Sequence, residues 1–325
     1  MKKISFRNIL IIASLIFGML FGAGNLIFPI HLGQLAGANW LTASSGFLVS
    51  GIFLPLIALL ALSITRSNSL FDLANPIGKT YASIFLILVH ATIGPLFALP
   101  RTATDPYTVG FASFLPKNFV NGGLLIYTTI FFIIVFALTV TVLKITDLIG
   151  KILNPIFLLF LFLIFFLAFL TPMGLTKTAA ITPEYLENPF TGGFLQGYNT
   201  MDCLACLVFG VMIISAVREF GLKNDKDVSL TTAKGGVIGI LGIRLIYLCL
   251  IWLGSTSLNK FALVANSGIT LAQIFNFYLG TAGNALLAAL TTLICITTGM
   301  GLAAAFALDL HDRFPKYSYK FFLTI

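Results

Sequence analysis

Apolar residues in this chain come in long unbroken runs of about twenty, the length a helix needs to cross the roughly 30 Å hydrocarbon core of a bilayer. Eight such runs are read, at roughly 8–30, 42–65, 80–100, 122–143, 152–171, 195–216, 235–255 and 277–308. The last is too long for one straight crossing, so it tilts or extends past the membrane. A ninth apolar stretch begins near Tyr317 and stops at Ile325, too short to cross. The alternating hydrophobicity of a membrane β-barrel is absent. The pattern therefore predicts an all-α polytopic membrane protein, with residues 1–325 forming a single transmembrane domain. The first run follows a basic start, Lys2, Lys3 and Arg7. It continues to Pro29 without a small-residue cleavage site, so it reads as a span and not as a signal peptide.

Two of the runs are interrupted. In "FGMLFGAGNLIFP" (17–29), Gly18, Gly22, Gly24, Asn25 and Pro29 fall within one span, although glycine costs about 1 kcal/mol and proline about 3 kcal/mol relative to alanine inside a helix. In "GGFLQGYNTMDCLACLVFG" (192–210), Gly197, Asn199, Thr200 and Asp202 interrupt the sixth run. The two broken spans are five helices apart, so they cross in opposite directions, as an inverted repeat of five plus five helices requires. Repeat one covers about 8–171 and a partial repeat two about 195–325. Paired interruptions at corresponding positions point to a binding site near the membrane midplane. Close packing through the G-x-x-x-G of Gly18 and Gly22 is the competing explanation, but it accounts neither for Asn25 nor for the matching break.

Composition agrees: 58% of the 325 residues are hydrophobic and 9% charged, where a soluble domain carries about 25% charged residues. The net charge of +8 would suggest an anionic partner such as nucleic acid, but its distribution excludes that reading. With the N-terminus taken as cytoplasmic, fourteen of the 19 Lys and Arg residues fall on the inner side. Arg101, Lys117, Lys177 and Lys260 fall outside, and Arg244 is left within a span. This is the positive-inside bias of a multi-pass protein. The four cysteines, Cys203, Cys206, Cys249 and Cys295, lie in spans and read as small apolar core residues. No phosphate loop, zinc spacing or nucleophile elbow is present, so the chain is not read as an enzyme.

Unwound main chain is tolerated at membrane depth only where it is buried in protein or lines a cavity. At the first break, the amides of Gly22, Ala23 and Gly24 can meet a carboxylate. The carbonyls of Gly18 and Phe21 can face a cation, and Asn25 adds a side-chain carbonyl. At the second, Asn199, Thr200 and Asp202 are short polar groups, and Tyr198 can wall a side-chain pocket. Asp202 is the only acidic residue these boundaries place in a span. It is either functional, tuning a cation site or carrying a proton, or a helix cap. In "CITTGMGL" (295–302), Thr297 and Thr298 are paired hydroxyls next to Gly299 and Gly301; Thr291 and Thr292 form a competing pair. Such hydroxyls also bond back to carbonyls of their own helix. His90, before the Gly94-Pro95 kink, either lines a cavity or is buried and satisfied. Arg101 reads as an interface residue that snorkels, pairs with Asp105 or serves a gate; Arg244 has no assigned partner.

The segments 17–29, "GPLFALPRTAT" (94–104), "GYNTMDCLACLVFG" (197–210) and 295–302 resemble, in order and well separated, the branched-chain amino acid:cation symporters of bacteria. The resemblance extends over the whole chain. It implies the leucine-transporter-like fold, location in the bacterial cytoplasmic membrane, and sodium-driven uptake of Leu, Ile and Val, with sodium as coupling ion and no other cofactor. By the same resemblance, Ala23, Gly24 and Asn25 meet the substrate carboxylate. The carbonyls of Gly18 and Phe21 with the hydroxyls of Thr297 and Thr298 hold sodium, and Asn199, Thr200 and Asp202 match the sixth-helix break. Family members are longer, so the chain is expected to be C-terminally truncated within the second repeat, and "DPYTVGF" (105–111) departs from the family pattern. The alternatives are a non-transporting remnant, one half of a carrier completed by a separately encoded C-terminal fragment, or a proton-coupled amino acid transporter.

Overall fold

The computed structural model describes residues 5–67, 69–141, 144–222 and 224–324, and its regular elements are all helical. Lys2, Lys3 and Lys223 of the inner basic set lie outside the described residues, as do the side chains of Lys117, Lys144 and Lys151. The first apolar run forms two helices, α1 (Phe6–Leu20) and α2 (Gly24–Ala36). The second forms α3 (Trp40–Leu48) and α4 (Leu54–Thr65), joined by a π turn, and a short α5 (Leu70–Ala74) follows. The third is α6 (Lys79–Ala91) and α7 (Ala98–Val109), with Gly94 outside helical geometry between them. The fourth and fifth are α8 (Val120–Thr141) and α9 (Lys144–Leu170). After α10 (Pro183–Glu187), the sixth divides into α11 (Pro189–Tyr198) and α12 (Asp202–Glu219). The seventh is the unbroken α13 (Asp225–Ser257) and the eighth α14 (Ser267–Arg313), followed by α15 (Tyr319–Leu323).

Among the described residues, six helical stretches are long and apolar enough to cross a membrane, while Phe6–Leu20 and Pro155–Leu170 are shorter apolar helices. Several boundaries lie outside those read in the sequence, the seventh and eighth spans for example starting at Asp225 and Ser267, and two of the differences bear on charge. The third span continues past residue 100 to Val109, and the eighth past 308 to Arg313. Asp105 and Asp309 therefore join Asp202 inside long apolar helices, so Asp202 is not the only acidic residue there. Both carboxylates are tolerated because a basic partner is at hand. Asp105 faces the Arg101 guanidinium one turn back at 3.8 Å, and Asp309 lies 2.8 Å from Nε2 of the buried His90. The length of α14 is relieved by a kink at Gly280 (φ 64°, ψ −163°), a conformation essentially restricted to glycine.

The packing solves the problem a broken span creates. The unbroken α13 runs beside both halves of the first span. Near its middle, a Cβ on Gly239 would lie 2.7 Å from the Ala13 carbonyl oxygen. Near its end, a Cβ on Gly254 would lie 2.2 Å from that of Ile30, and one on Gly33 would lie 2.0 Å from that of Ile251. The second span does the same for the sixth. A Cβ on Gly193 would meet the Ala43 carbonyl oxygen at 1.9 Å, and one on Gly46 the Phe190 carbonyl oxygen at 2.0 Å. Farther along, Gly210 faces Leu62. Main chain thus touches main chain on both splints, which only glycine permits. Phe47 and Tyr247 meet edge to face at 5.0 Å where the second and seventh spans join. The two breaks are held at fixed positions inside this four-span core.

Candidate functional site

The first break is short. Phe21 is extended (φ −81°, ψ 105°) and α2 restarts at Gly24. Asn25 pins the turn, its Oδ1 accepting the Gly22 amide at 2.9 Å. With that amide diverted, the last carbonyls of α1 lose their helical donors. Among the described residues, the carbonyls of Gly18, Met19, Leu20 and Phe21 accept no main-chain hydrogen bond, and the amides of Ala23 and Gly24 donate none. The second break turns on Met201, a non-glycine residue in the left-handed region (φ 61°, ψ 14°), a strain of about 1–3 kcal/mol that the surroundings must hold in place. The Thr200 hydroxyl donates to the Gly197 carbonyl at 2.8 Å and faces the Asp202 amide at 3.5 Å.

One buried network joins the breaks. Asn25 Nδ2 donates to both carboxylate oxygens of Asp202, at 2.9 and 3.0 Å, and to the hydroxyl of Tyr247. The Tyr247 hydroxyl in turn donates to Asp202 Oδ2 at 2.5 Å. Asn25, Asp202 and Tyr247 are only 3%, 4% and 0% exposed. A buried carboxylate is tolerated only where donors surround it, and here a side chain from each neighbouring span supplies one. Asp202 is the first residue of α12, but its carboxylate faces the first and seventh spans, so the helix-cap alternative does not describe it. The third span closes the site. Arg101 Nη1 donates to the Asn199 carbonyl at 3.1 Å, and its guanidinium stacks over Phe28 of α2 at 4.4 Å. Arg101 therefore points into the protein and does not snorkel to the interface.

A cavity opens between the breaks, the third span and α14. Its polar side is Gly22, Ala23, Gly24 and Asn25 from the first break, Thr200, Met201 and Asp202 from the second, and Arg101, Thr102, Asp105 and Thr298. Its apolar side includes Met19, Leu20, Ile93, Ala205, Phe209 and Leu302. Of the residues picked out in the sequence, Gly22, Ala23, Gly24, Asn25, Thr200, Asp202 and Thr298 are brought together here. Asn199 contributes the carbonyl that Arg101 holds. Gly18, Phe21, Tyr198 and Thr297 are not among the lining residues, and Tyr198 is 47% exposed. Thr298 lies against the first break, its Oγ1 3.7 Å from where a Cβ on Gly22 would sit. Both Thr297 and Thr298 donate to the Ile294 carbonyl, and the buried Thr291 donates to those of Leu287 and Ala288.

Tyr247 and Asp105 were not picked out as site residues in the sequence. In "LIYLCLIW" (245–252) a tyrosine reads as core aromatic; its signal was the hydroxyl, which seeks a partner when buried. His90 resolves as the buried alternative, bonded to Asp309, and Arg244 is exposed on α13.

Apolar helices of this length around a buried polar cavity define a multi-pass membrane protein. The chain belongs to the family of branched-chain amino acid transport proteins, whose model matches residues 5–325. It is 39% identical over 316 residues to the branched-chain amino acid permease BrnQ of Lactobacillus delbrueckii subsp. lactis, covering 97% of this chain and 71% of that one. It is 38% identical over 321 residues to the permease BraB of Bacillus subtilis, covering 98% and 71%. It is 37% identical over 317 residues to the branched-chain amino acid transport system 2 carrier protein of Pseudomonas aeruginosa, covering 96% and 70%. These relatives are named as permeases and carriers, not as enzymes.

Proposed function

We propose that this chain takes up Leu, Ile and Val across the cytoplasmic membrane by alternating access, coupled to sodium, with its N-terminus in the cytoplasm. The observation that carries the reading is the Asn25–Asp202–Tyr247 network, which ties two opposed main-chain breaks together at one cavity. The freed amide of Gly24 and that of Ala23, which faces only the weakly accepting sulfur of Cys295, lie at the positive end of α2 and suit a carboxylate. The wall of Met19, Leu20, Ile93 and Phe209 suits a branched aliphatic side chain. A missing methylene in such a wall costs about 1–3 kcal/mol, which favours the three branched substrates over alanine. Reciprocal splinting, of the first span by the seventh and of the sixth by the second, supports a leucine-transporter-like inverted repeat.

Sodium, a co-substrate in this reading, takes hard oxygen ligands. The unpaired carbonyls of Gly18 and Phe21 and the hydroxyls of Thr297 and Thr298 supply that chemistry, Thr298 lying nearest the break. Sodium bound there holds the break in the geometry that binds the amino acid, a reciprocal linkage typically worth about 1–3 kcal/mol. The test is leucine uptake by the purified chain in proteoliposomes. Uptake is expected to follow an imposed inward sodium gradient, and uptake indifferent to it would remove sodium from the account. Thr298→Ala is expected to raise the sodium concentration for half-maximal uptake about tenfold, the effect of about 1.4 kcal/mol. Thr291→Ala, at a buried position that does not line the cavity, leaves it unchanged. The buried Asp202 carboxylate favours one second reading, proton coupling. Uptake that follows a proton gradient and vanishes in Asp202→Asn would select it.

A further inference from the structure

Resting on the amino acid carrier reading, we propose that Arg101 is a tethered competitor for the substrate's ammonium group. It holds the Asn199 carbonyl that the ammonium needs, and substrate binds as the guanidinium swings onto Asp105.

The cavity contains two kinds of electrostatic seat. The start of α2 offers amides and the positive end of a helix, which suits the carboxylate of a zwitterion. The end of α11 offers carbonyls and the negative end of a helix, which suits its ammonium. Most carbonyls at that second break are already in use: Gly197 accepts from Thr200, Leu195 from the Asn199 amide and Tyr198 from the Met201 amide. Asn199 is among those without a main-chain donor, and Arg101 Nη1 takes it at 3.1 Å. The other terminal nitrogen, Nη2, lies 2.8 Å from where a Cβ on Gly24 would stand. The guanidinium thus spans the gap between the two breaks, the space in which a zwitterion's Cα has to sit.

The surrounding charges give the guanidinium a second resting place. Asp202 already accepts from Asn25 and Tyr247, so its attraction for Arg101 acts at a distance, with no bond between them. Asp105, one turn along the same helix, is nearer: its Oδ2 is 3.8 Å from Nε, a distance at which charges attract without a formed hydrogen bond. A modest rotation of the side chain converts this contact into the bidentate pair that arginine and carboxylate favour. It also frees both the Asn199 carbonyl and the face of Gly24. Arg101 is therefore a positioning residue that sets how often the seat is open. Apparent affinity scales with the open fraction.

Equilibrium binding of radiolabelled leucine to the purified full chain, with sodium present, tests this. Absence of binding to the wild-type chain would overturn the carrier reading itself, and the proposal with it. Arg101→Gln is expected to tighten leucine binding about tenfold, as expected if the seat is open in about a tenth of molecules. Leucinol, which keeps the ammonium but lacks the carboxylate, tightens equally in competition assays. 4-Methylpentanoate, which gains the face of Gly24 but has no ammonium for the Asn199 carbonyl, tightens less than either. Weaker leucine and 4-methylpentanoate binding in Arg101→Gln, with leucinol unaffected, would overturn the proposal and make Arg101 a carboxylate ligand. Asp105→Asn removes the second resting place and is expected to weaken leucine binding, with the double variant restored to the Arg101→Gln value. Unchanged or tighter binding in Asp105→Asn would overturn the proposal even if Arg101→Gln does not fold.

Discussion

Asp202→Ala is expected to abolish leucine uptake and to lower the thermal stability of the purified protein together. The substitution deletes the one acceptor shared by Asn25 Nδ2 and the Tyr247 hydroxyl. It leaves the Tyr247 hydroxyl proton, and one of the two on Asn25 Nδ2 (the other keeps the Tyr247 oxygen), in a site almost closed to water. Each buried donor left unpaired costs about 1–3 kcal/mol, so a combined loss of roughly 2–6 kcal/mol is expected. Where about 2 kcal/mol of this is lost from the geometry that binds substrate, affinity falls about thirtyfold. Tyr247→Phe is milder, because Asp202 keeps its bonds to Asn25; about a tenfold loss, near 1.4 kcal/mol, is expected. Uptake in Asp202→Ala within twofold of wild type would mean that the network is scaffolding away from the transport pathway.

Gly254→Leu and Gly33→Leu are expected to be among the most damaging substitutions outside the cavity. At either position the first side-chain atom would overlap a main-chain carbonyl oxygen of the facing helix, at 2.2 and 2.0 Å. Main chain cannot rotate aside as a side chain can, so α2 has to separate from α13. Overpacking a close interface costs about 1–3 kcal/mol or more. Here the separation also pulls Asn25 from Tyr247 and reopens the break. Melting followed by size-exclusion chromatography should show a lower transition and aggregated material. Gly242→Ala on the same α13 is the control. Its added Cβ would meet only Phe17, at 4.0 Å, and replacing a helical glycine there leaves stability unchanged or raises it by about 0.4–1 kcal/mol.

The breaks were legible in the sequence because glycine, asparagine and aspartate are costly in an apolar helix, and their cost marks where a span is not a plain helix. Asn25 and Asp202 stand out for that reason, and they are the two residues that bond across the site. Tyr247 did not stand out, because a tyrosine in an apolar run looks like packing, and the 222 residues between it and Asn25 leave no local signal. Arg101, Asp105 and Asp309 were misplaced for a different reason. Falling hydropathy places the ends of those spans too early. A helix instead continues as long as its polar side chains find partners, and Asp105 beside Arg101 and Asp309 beside His90 do so. The splinting was hidden as well. Gly33, Gly46, Gly193 and Gly254 are unremarkable as single glycines, and become informative only when the facing carbonyls are known.

The account stands on the two breaks forming one binding site for an amino acid. An electron cryomicroscopy structure of the full chain with leucine and sodium tests this most directly. The predicted result is leucine density between Gly22–Gly24 and Thr200–Asp202, with its carboxylate at the Ala23 and Gly24 amides and its side chain toward Phe209. Leucine bound away from both breaks, or a continuous helix through Phe21–Ala23, would contradict it.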